Sequence, residues 1–201
     1  DKGNYTVYCE FEPGAYSHQH EHDLGETVPS AYNALEHPDN LAAGYRVFPY
    51  PAESPLHGNR QFLSDPADPT ASPFGWHDTD GIAGADYTIT RGNNVFASED
   101  RNDDNVPGHS PDGGANLLFD FPYNPGQAPT AWEDAAITNL FYANNFLHDM
   151  TYHYGFDEVA GNFQENNYGL GGNDGDAVQA DAQDGSGTNN ANFSTPSDGN
   201  N

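Results

Sequence analysis

Apolar positions in this chain are gathered into one long run and scattered thinly elsewhere. The run is TAWEDAAITNLFYANNFLHDMTYHYG, from Thr130 to Gly155, with no proline and no glycine before its last residue. Ile137, Leu140, Phe141, Asn144, Leu147 and His148 recur at steps of three and four, the spacing of one helical face. Trp132, Ala136, Ala143, Phe146 and Met150 are apolar on a neighbouring face. The pattern predicts a helix over about 131–154, buried on more than one side. Thr130 and Glu133 have the spacing of a capping box at its start. Gly155 stands where the chain must leave the helix with positive φ.

Elsewhere the period shortens to that of strands. YRVF from Tyr45, RQFL from Arg60, DYTIT from Asp86, NLLFDFPY from Asn116 and AVQA from Ala177 are strand candidates between loops rich in Pro and Gly. GNNVFA follows DYTIT, with Gly92-Asn93 or Asn93-Asn94 available for a tight turn. Near the N-terminus, YTVYCEF reads as a short strand and SAYNALEHPDN as a short helix stopped before Pro38. The expected fold is α+β: a twisted, mostly antiparallel β-sheet with long loops, backed by one long buried helix at about 131–154.

Composition narrows the function. The 201 residues suit one domain or a large piece of one, and 13 % aromatics supply a core. A formal net charge of −26, with five Lys and Arg, repels nucleic acid and anionic membrane surfaces. No apolar run approaches the ~20 residues of a membrane span, and no signal peptide opens the chain, as after processing. Cys9 is the single cysteine, which excludes an intrachain disulfide. Such acidity fits a secreted protein of a salty or calcium-rich medium, specific calcium sites, or both.

Asp100, Asn102 and Asp104 occupy alternate positions, with the Val106 carbonyl in reach, which is the ligand rhythm of a calcium loop. It departs from an EF-hand: Asn105 stands where Gly is expected, and no Glu closes the loop. The bland alternative is a solvated acidic loop. His18, His20 and His22 share a face if extended, but no further ligand is near, so a solvated segment is preferred. For Asp174 and Asp176, cation binding and turn chemistry are equally open. Packing of Trp76 over a loop is preferred to a functional role for Trp76 and His77. Asp149 and His153, at i and i+4, form a helix-stabilising pair in the default reading. Gly169, Gly171 and Gly172 fail the nucleotide-loop spacing at Asp174. Sequons occur at Asn4 and Asn192. No HExxH zinc motif is present: HEHDL at His20 lacks the second His, and His148 and His153 are five apart rather than four.

Four long words appear together: SDPADPTASPFGWHD, TRGNNVFASEDRNDDN, ITNLFYANNFLHDMTYHYGFDEVAGNFQENN and GDAVQADAQDGSGTNNANFSTPSDG. In this order they closely resemble the fungalysin family of secreted zinc metallopeptidases, over roughly Tyr45 to Asn201. The resemblance implies that residues 44–201 are the N-terminal, β-rich part of a thermolysin-like catalytic domain, incomplete at the C-terminus. Residues 1–43 are then an extension of unassigned role. It implies peptide hydrolysis by a zinc-activated water, with Zn2+ ligands and general base outside this sequence. It implies that NNANF edges the cleft, where Asn190 offers its side-chain amide and Ala191 its carbonyl to an extended peptide. A glycan at Asn192 would crowd that cleft. The implied partners are a peptide or protein substrate and the remaining C-terminal part of the domain, and neither nucleic acid nor membrane. The competing reading is a non-catalytic, Ca2+-binding extracellular structural or adhesive module derived from a peptidase fold.

Overall fold

The computed structural model describes residues 43–52, 54–188 and 191–200. The expectations for Cys9, the Asn4 sequon, His18, His20, His22, the N-terminal strand and helix, and Asn190 lie outside the described residues.

Among the described residues, five short strands and one long helix carry the fold. They run β1 (Gly44–Val47), β2 (Gln61–Ser64), β3 (Val95–Glu99), β4 (Leu118–Phe119), α1 (Glu133–Tyr152) and β5 (Val178–Ala182). β1 pairs antiparallel with β2 and parallel with β4, giving the order β2-β1-β4. β3 and β5 form a separate parallel pair, with Val95 opposite Val178 and Glu99 opposite Ala182. The expectation of a mostly antiparallel sheet is therefore corrected among the described residues. A parallel pair needs a long crossover, and α1 lies within the connection from β3 to β5. DYTIT makes no strand, only isolated bridges from Ile89 to Asp112 and from Arg91 to Phe96. The Gly92 N–H bonds the Val95 carbonyl at 3.0 Å and closes the turn into β3. A Cβ at Gly92 would stand 1.6 Å from the Trp76 carbonyl oxygen, so only glycine fits there.

Helix α1 begins differently from its sequence signal. Pro129–Trp132 form a 3-10 turn, Trp132 is the N-cap, and no side chain caps it. Thr130 is thus in the turn before the helix, and Glu133 lies 3.5 Å from the Arg101 guanidinium. Glu133 and Asp134 still favour the positive end of the helix dipole. The far end agrees with expectation. Gly155 has φ +91°. Its N–H reaches the Tyr152 carbonyl at 3.0 Å, while the Phe156 N–H reaches that of Thr151 at 3.1 Å. Those two bonds make a Schellman motif.

The buried stripe of α1 is Ile137, Thr138, Phe141, Tyr142, Asn145 and Asp149, and half of its chemistry is polar. Leu147 is 51 % exposed, so the helix does not bury every apolar face against the described residues. No helix among these residues is long and apolar enough to cross a membrane. Beneath α1 lies an aromatic stack. The Tyr45 and Phe119 rings are 5.3 Å apart and nearly parallel, Phe119 and His77 are 5.2 Å apart, and His77 and Phe141 are 4.9 Å apart. His77 is a core residue, as preferred for its neighbour Trp76.

The Arg91 carbonyl can only accept, so His77 Nδ1 carries the proton across that 3.0 Å contact. Nε2 then accepts from the Tyr45 hydroxyl at 2.8 Å. Burial lowers the His77 pKa from its ordinary 6.5 to about 4. The unfolded chain therefore binds this proton first as pH falls. The stabilising contribution is complete above 6.5 and is lost progressively toward pH 4, by up to about 3 kcal/mol. His77→Gln is expected to flatten the stability curve between pH 6.5 and 4 relative to the native residue. Equal slopes by denaturant titration would refute this.

Candidate functional site

Asp149 organises the region around the end of α1. Its Oδ1 accepts from Ser72 Oγ at 2.6 Å and His148 Nδ1 at 3.0 Å. Its Oδ2 accepts from the Asp68 N–H at 2.9 Å and Trp76 Nε1 at 2.8 Å. The expected Asp149–His153 pair is therefore corrected: His153 Nε2 meets Asp68 Oδ2 at 2.9 Å instead. One buried carboxylate thus ties the loop carrying Trp76 and His77 to the helix. Asn145 adds a second tie, accepting from Asn94 Nδ2 at 3.1 Å. Both oxygens of Asp149 are used in holding the fold, which leaves no lone pair aimed at a substrate.

An adjoining face of α1 is open. Leu140 and Asn144, the β5 residues from Val178 to Asp181, and Ala191–Ser194 line a groove of about 980 Å³. β5 pairs with β3 along one edge, and its other edge has no strand beside it among the described residues. Ala191 is exposed on the groove wall next to Asn192, which is also exposed. Ala191–Pro196 carry no ladder, so the described part of NNANF forms no strand. Phe193 anchors it edge-on against Phe163, at 6.2 Å between ring centres. Asp176, Asp181 and Asp184 make the groove acidic. Burial first, then the charges of Asp100 and Asp184, raises the Asp181 carboxyl above its ordinary range. Such a wall favours cationic over anionic side chains in an occupant.

The loop of Asp100, Asn102 and Asp104 closes on itself. Asp100 is buried, and its two oxygens accept from the Asp104 N–H at 3.1 Å and the Asn105 N–H at 2.9 Å. Asp104 Oδ1 takes the Val106 N–H at 3.1 Å, and Asn102 is exposed. Asp176 holds two backbone donors: its oxygens accept the Gln164 and Gly199 N–H groups, each at 2.9 Å. Arg46 forms a two-pronged ion pair with Asp120 at 2.9 and 3.0 Å.

Sequence reasoning passed over one constellation. Asp78, Asp80 and Asp86 each bring a carboxylate oxygen within 4.8 Å of the others. The signal available was Asp78-x-Asp80-Gly81 after Trp76-His77, but Asp86 joins only through the fold. Among the described residues this is the one group of three or more His, Cys, Asp or Glu with metal-sized spacing. Its donors are hard oxygens, whereas a catalytic zinc takes imidazole, so these residues do not fit that ion.

Comparison with known proteins agrees with the words in the sequence. The fungalysin metallopeptidase family model matches residues 44–201. Extracellular metalloproteinase 5 of Trichophyton tonsurans is 46 % identical over 159 residues, covering 78 % of this chain and 26 % of the relative. Extracellular metalloproteinase mep of Aspergillus terreus is 44 % identical over 177 residues, covering 87 % of this chain and 27 % of the relative. Extracellular metalloproteinase 1 of Arthroderma gypseum is 47 % identical over 160 residues, 78 % of this chain and 25 % of the relative. The chain spans about a quarter of the length of the curated relatives it matches. With its buried helix and open groove, the chain belongs to the fungalysin metallopeptidase family.

Proposed function

We propose that residues 44–201 form the N-terminal, β-rich part of the catalytic domain of a secreted zinc endopeptidase, and that residues 1–43 precede it as an extension. The observation that carries the reading is the groove, where the unpaired edge of β5, the Leu140–Asn144 face of α1 and Ala191 meet. An extended peptide adds to such an edge through backbone hydrogen bonds. Asn190 supplies a side-chain amide and Ala191 a carbonyl to the substrate backbone. A zinc ion, when bound, supplies an activated water for attack on the scissile carbonyl. Its ligands and the general base belong to the rest of the polypeptide, since HExxH is absent from these residues. This segment's own work is binding and orientation. Secretion is supported by the extracellular metalloproteinases it resembles. Its partners are a peptide or protein substrate and the C-terminal part of the domain.

The test is Asn190→Ala in the complete polypeptide. Losing one or two substrate hydrogen bonds is expected to lower kcat/KM about tenfold or more, with the melting temperature unchanged. An unaltered kcat/KM would remove Asn190 from substrate binding.

A further inference from the structure

The loop from Asp78 to Asp86 gathers three carboxylates, and no Lys, Arg or His forms an ion pair with any of them among the described residues. Each carboxylate fastens the loop with one oxygen. Asp78 Oδ1 accepts from the Gly81 N–H at 2.9 Å and the Tyr168 hydroxyl at 3.0 Å. Asp80 Oδ1 accepts from the Ile82 N–H at 2.8 Å. Asp86 Oδ2 accepts from the Thr79 N–H at 2.7 Å and Thr79 Oγ1 at 2.8 Å. The second oxygen of Asp78 is different in kind. Asp78 is fully buried, and its Oδ2 has no hydrogen-bond partner. An ionised carboxylate oxygen buried without a donor is costly, and two further carboxylates beside it add repulsion.

We infer that Asp78, Asp80 and Asp86 bind a calcium ion that pins the 78–86 loop against the 166–172 segment. Oxygens on opposite sides of calcium stand about 5 Å apart, because each lies at ~2.3–2.6 Å from the ion. The 4.8 Å limit on this set meets that requirement. Asp80 and Asp86 are exposed, which leaves room for waters to complete the shell. All-oxygen donors with three formal charges suit a hard divalent cation rather than zinc or copper. Burial, then the Asp86 and Asp80 charges, raises the Asp78 carboxyl, opposed by its hydrogen bonds from Gly81 and Tyr168. A cation reverses the balance. Two segments without regular structure are held together here. Tyr168 reaches Asp78, and Asn166 Nδ2 donates to the Thr79 carbonyl at 3.0 Å. A calcium on the first segment fixes the carboxylate that Tyr168 grips, and so stabilises an arrangement that short strands and turns alone hold weakly.

The experiment uses the complete polypeptide in calcium-depleted buffer with zinc held constant. Calcium chloride is titrated while the melting temperature is followed, and terbium is titrated while its emission sensitised by Trp76, Tyr87 and Tyr168 is read. Calcium is expected to raise the melting temperature, and terbium to bind. Asp80→Asn, which leaves the bonds of Asp78 and Asp86 in place, is expected to weaken terbium binding about tenfold. Asp80→Asn with Asp86→Asn is expected to abolish both responses. Asp104→Asn, in the other acidic loop, is expected to keep them. No response in the native protein would overturn the inference. So would an undiminished response in the double variant, or its loss in Asp104→Asn instead.

Discussion

Asp149→Ala is expected to be among the most damaging single substitutions in the described part of this chain, at about 3–5 kcal/mol. Four donors converge on that carboxylate: the Asp68 N–H, Ser72 Oγ, Trp76 Nε1 and His148 Nδ1. Ser72, Trp76 and Asp149 itself are buried, so water cannot replace the lost acceptor freely. Asp149→Asn is informative beside it. The amide keeps one acceptor oxygen but points an N–H₂ at two of the donors, so most of the loss remains. Denaturant unfolding of the complete polypeptide measures both, and Trp76 fluorescence reports the local change. A loss below about 1 kcal/mol for the alanine variant would mean that the loop from Asp68 to His77 is held by something else.

Phe141→Ala follows at about 3–5 kcal/mol, by a different mechanism. Phe141 is fully buried and packs on Tyr45, Trp76, His77 and Phe119. Truncation removes transfer energy and leaves a cavity between α1 and the β2-β1-β4 sheet. Collapse is hindered because the rings around it are themselves fixed. Tyr45 is held by its bond to His77, and Trp76 by its bond to Asp149. Phe141→Leu restores much of the apolar volume and is expected to cost roughly half as much. Thermal unfolding discriminates the two. Equal losses would point to ring stacking rather than filled space as the dominant contribution.

The anchor and the groove share one helix, which bears on how the groove stays in place. Asp149 and Phe141 lie on one stripe of α1, while Leu140 and Asn144 of the same helix face the groove. Anchoring the first face sets the position of the second. A destabilised anchor should therefore disturb any peptide lying along β5 without touching it.

Local signals carried much of the secondary structure. Periods of three and four residues placed α1 within two residues at each end, and Gly155 marked its stop because positive φ is a property of one residue. YRVF, RQFL and AVQA each overlap a strand, and NLLFDFPY supplies the two residues of β4, whereas β3 forms where GNNVFA signals only a turn. The capping box failed because a 3-10 turn at Pro129 takes Thr130 out of the N-cap position. The Asp149–His153 pairing failed because partners from a distant loop outbid a neighbour one turn away.

The sequence by itself determined the helix, most strands, the acidic surface charge and the family words. Each of these is written in residues close together along the chain. The tertiary structure alone decided which strands are parallel, that His77 is a buried neutral imidazole accepting from the Tyr45 hydroxyl, and that Asp86 joins Asp78 and Asp80. It alone gave Asp149 three of its four partners, 73 to 81 residues away in the chain. The physical reason is that burial and pairing depend on which segments meet when the aromatic core closes. A carboxylate carries the same local pattern whether it ends in water or beneath Trp76.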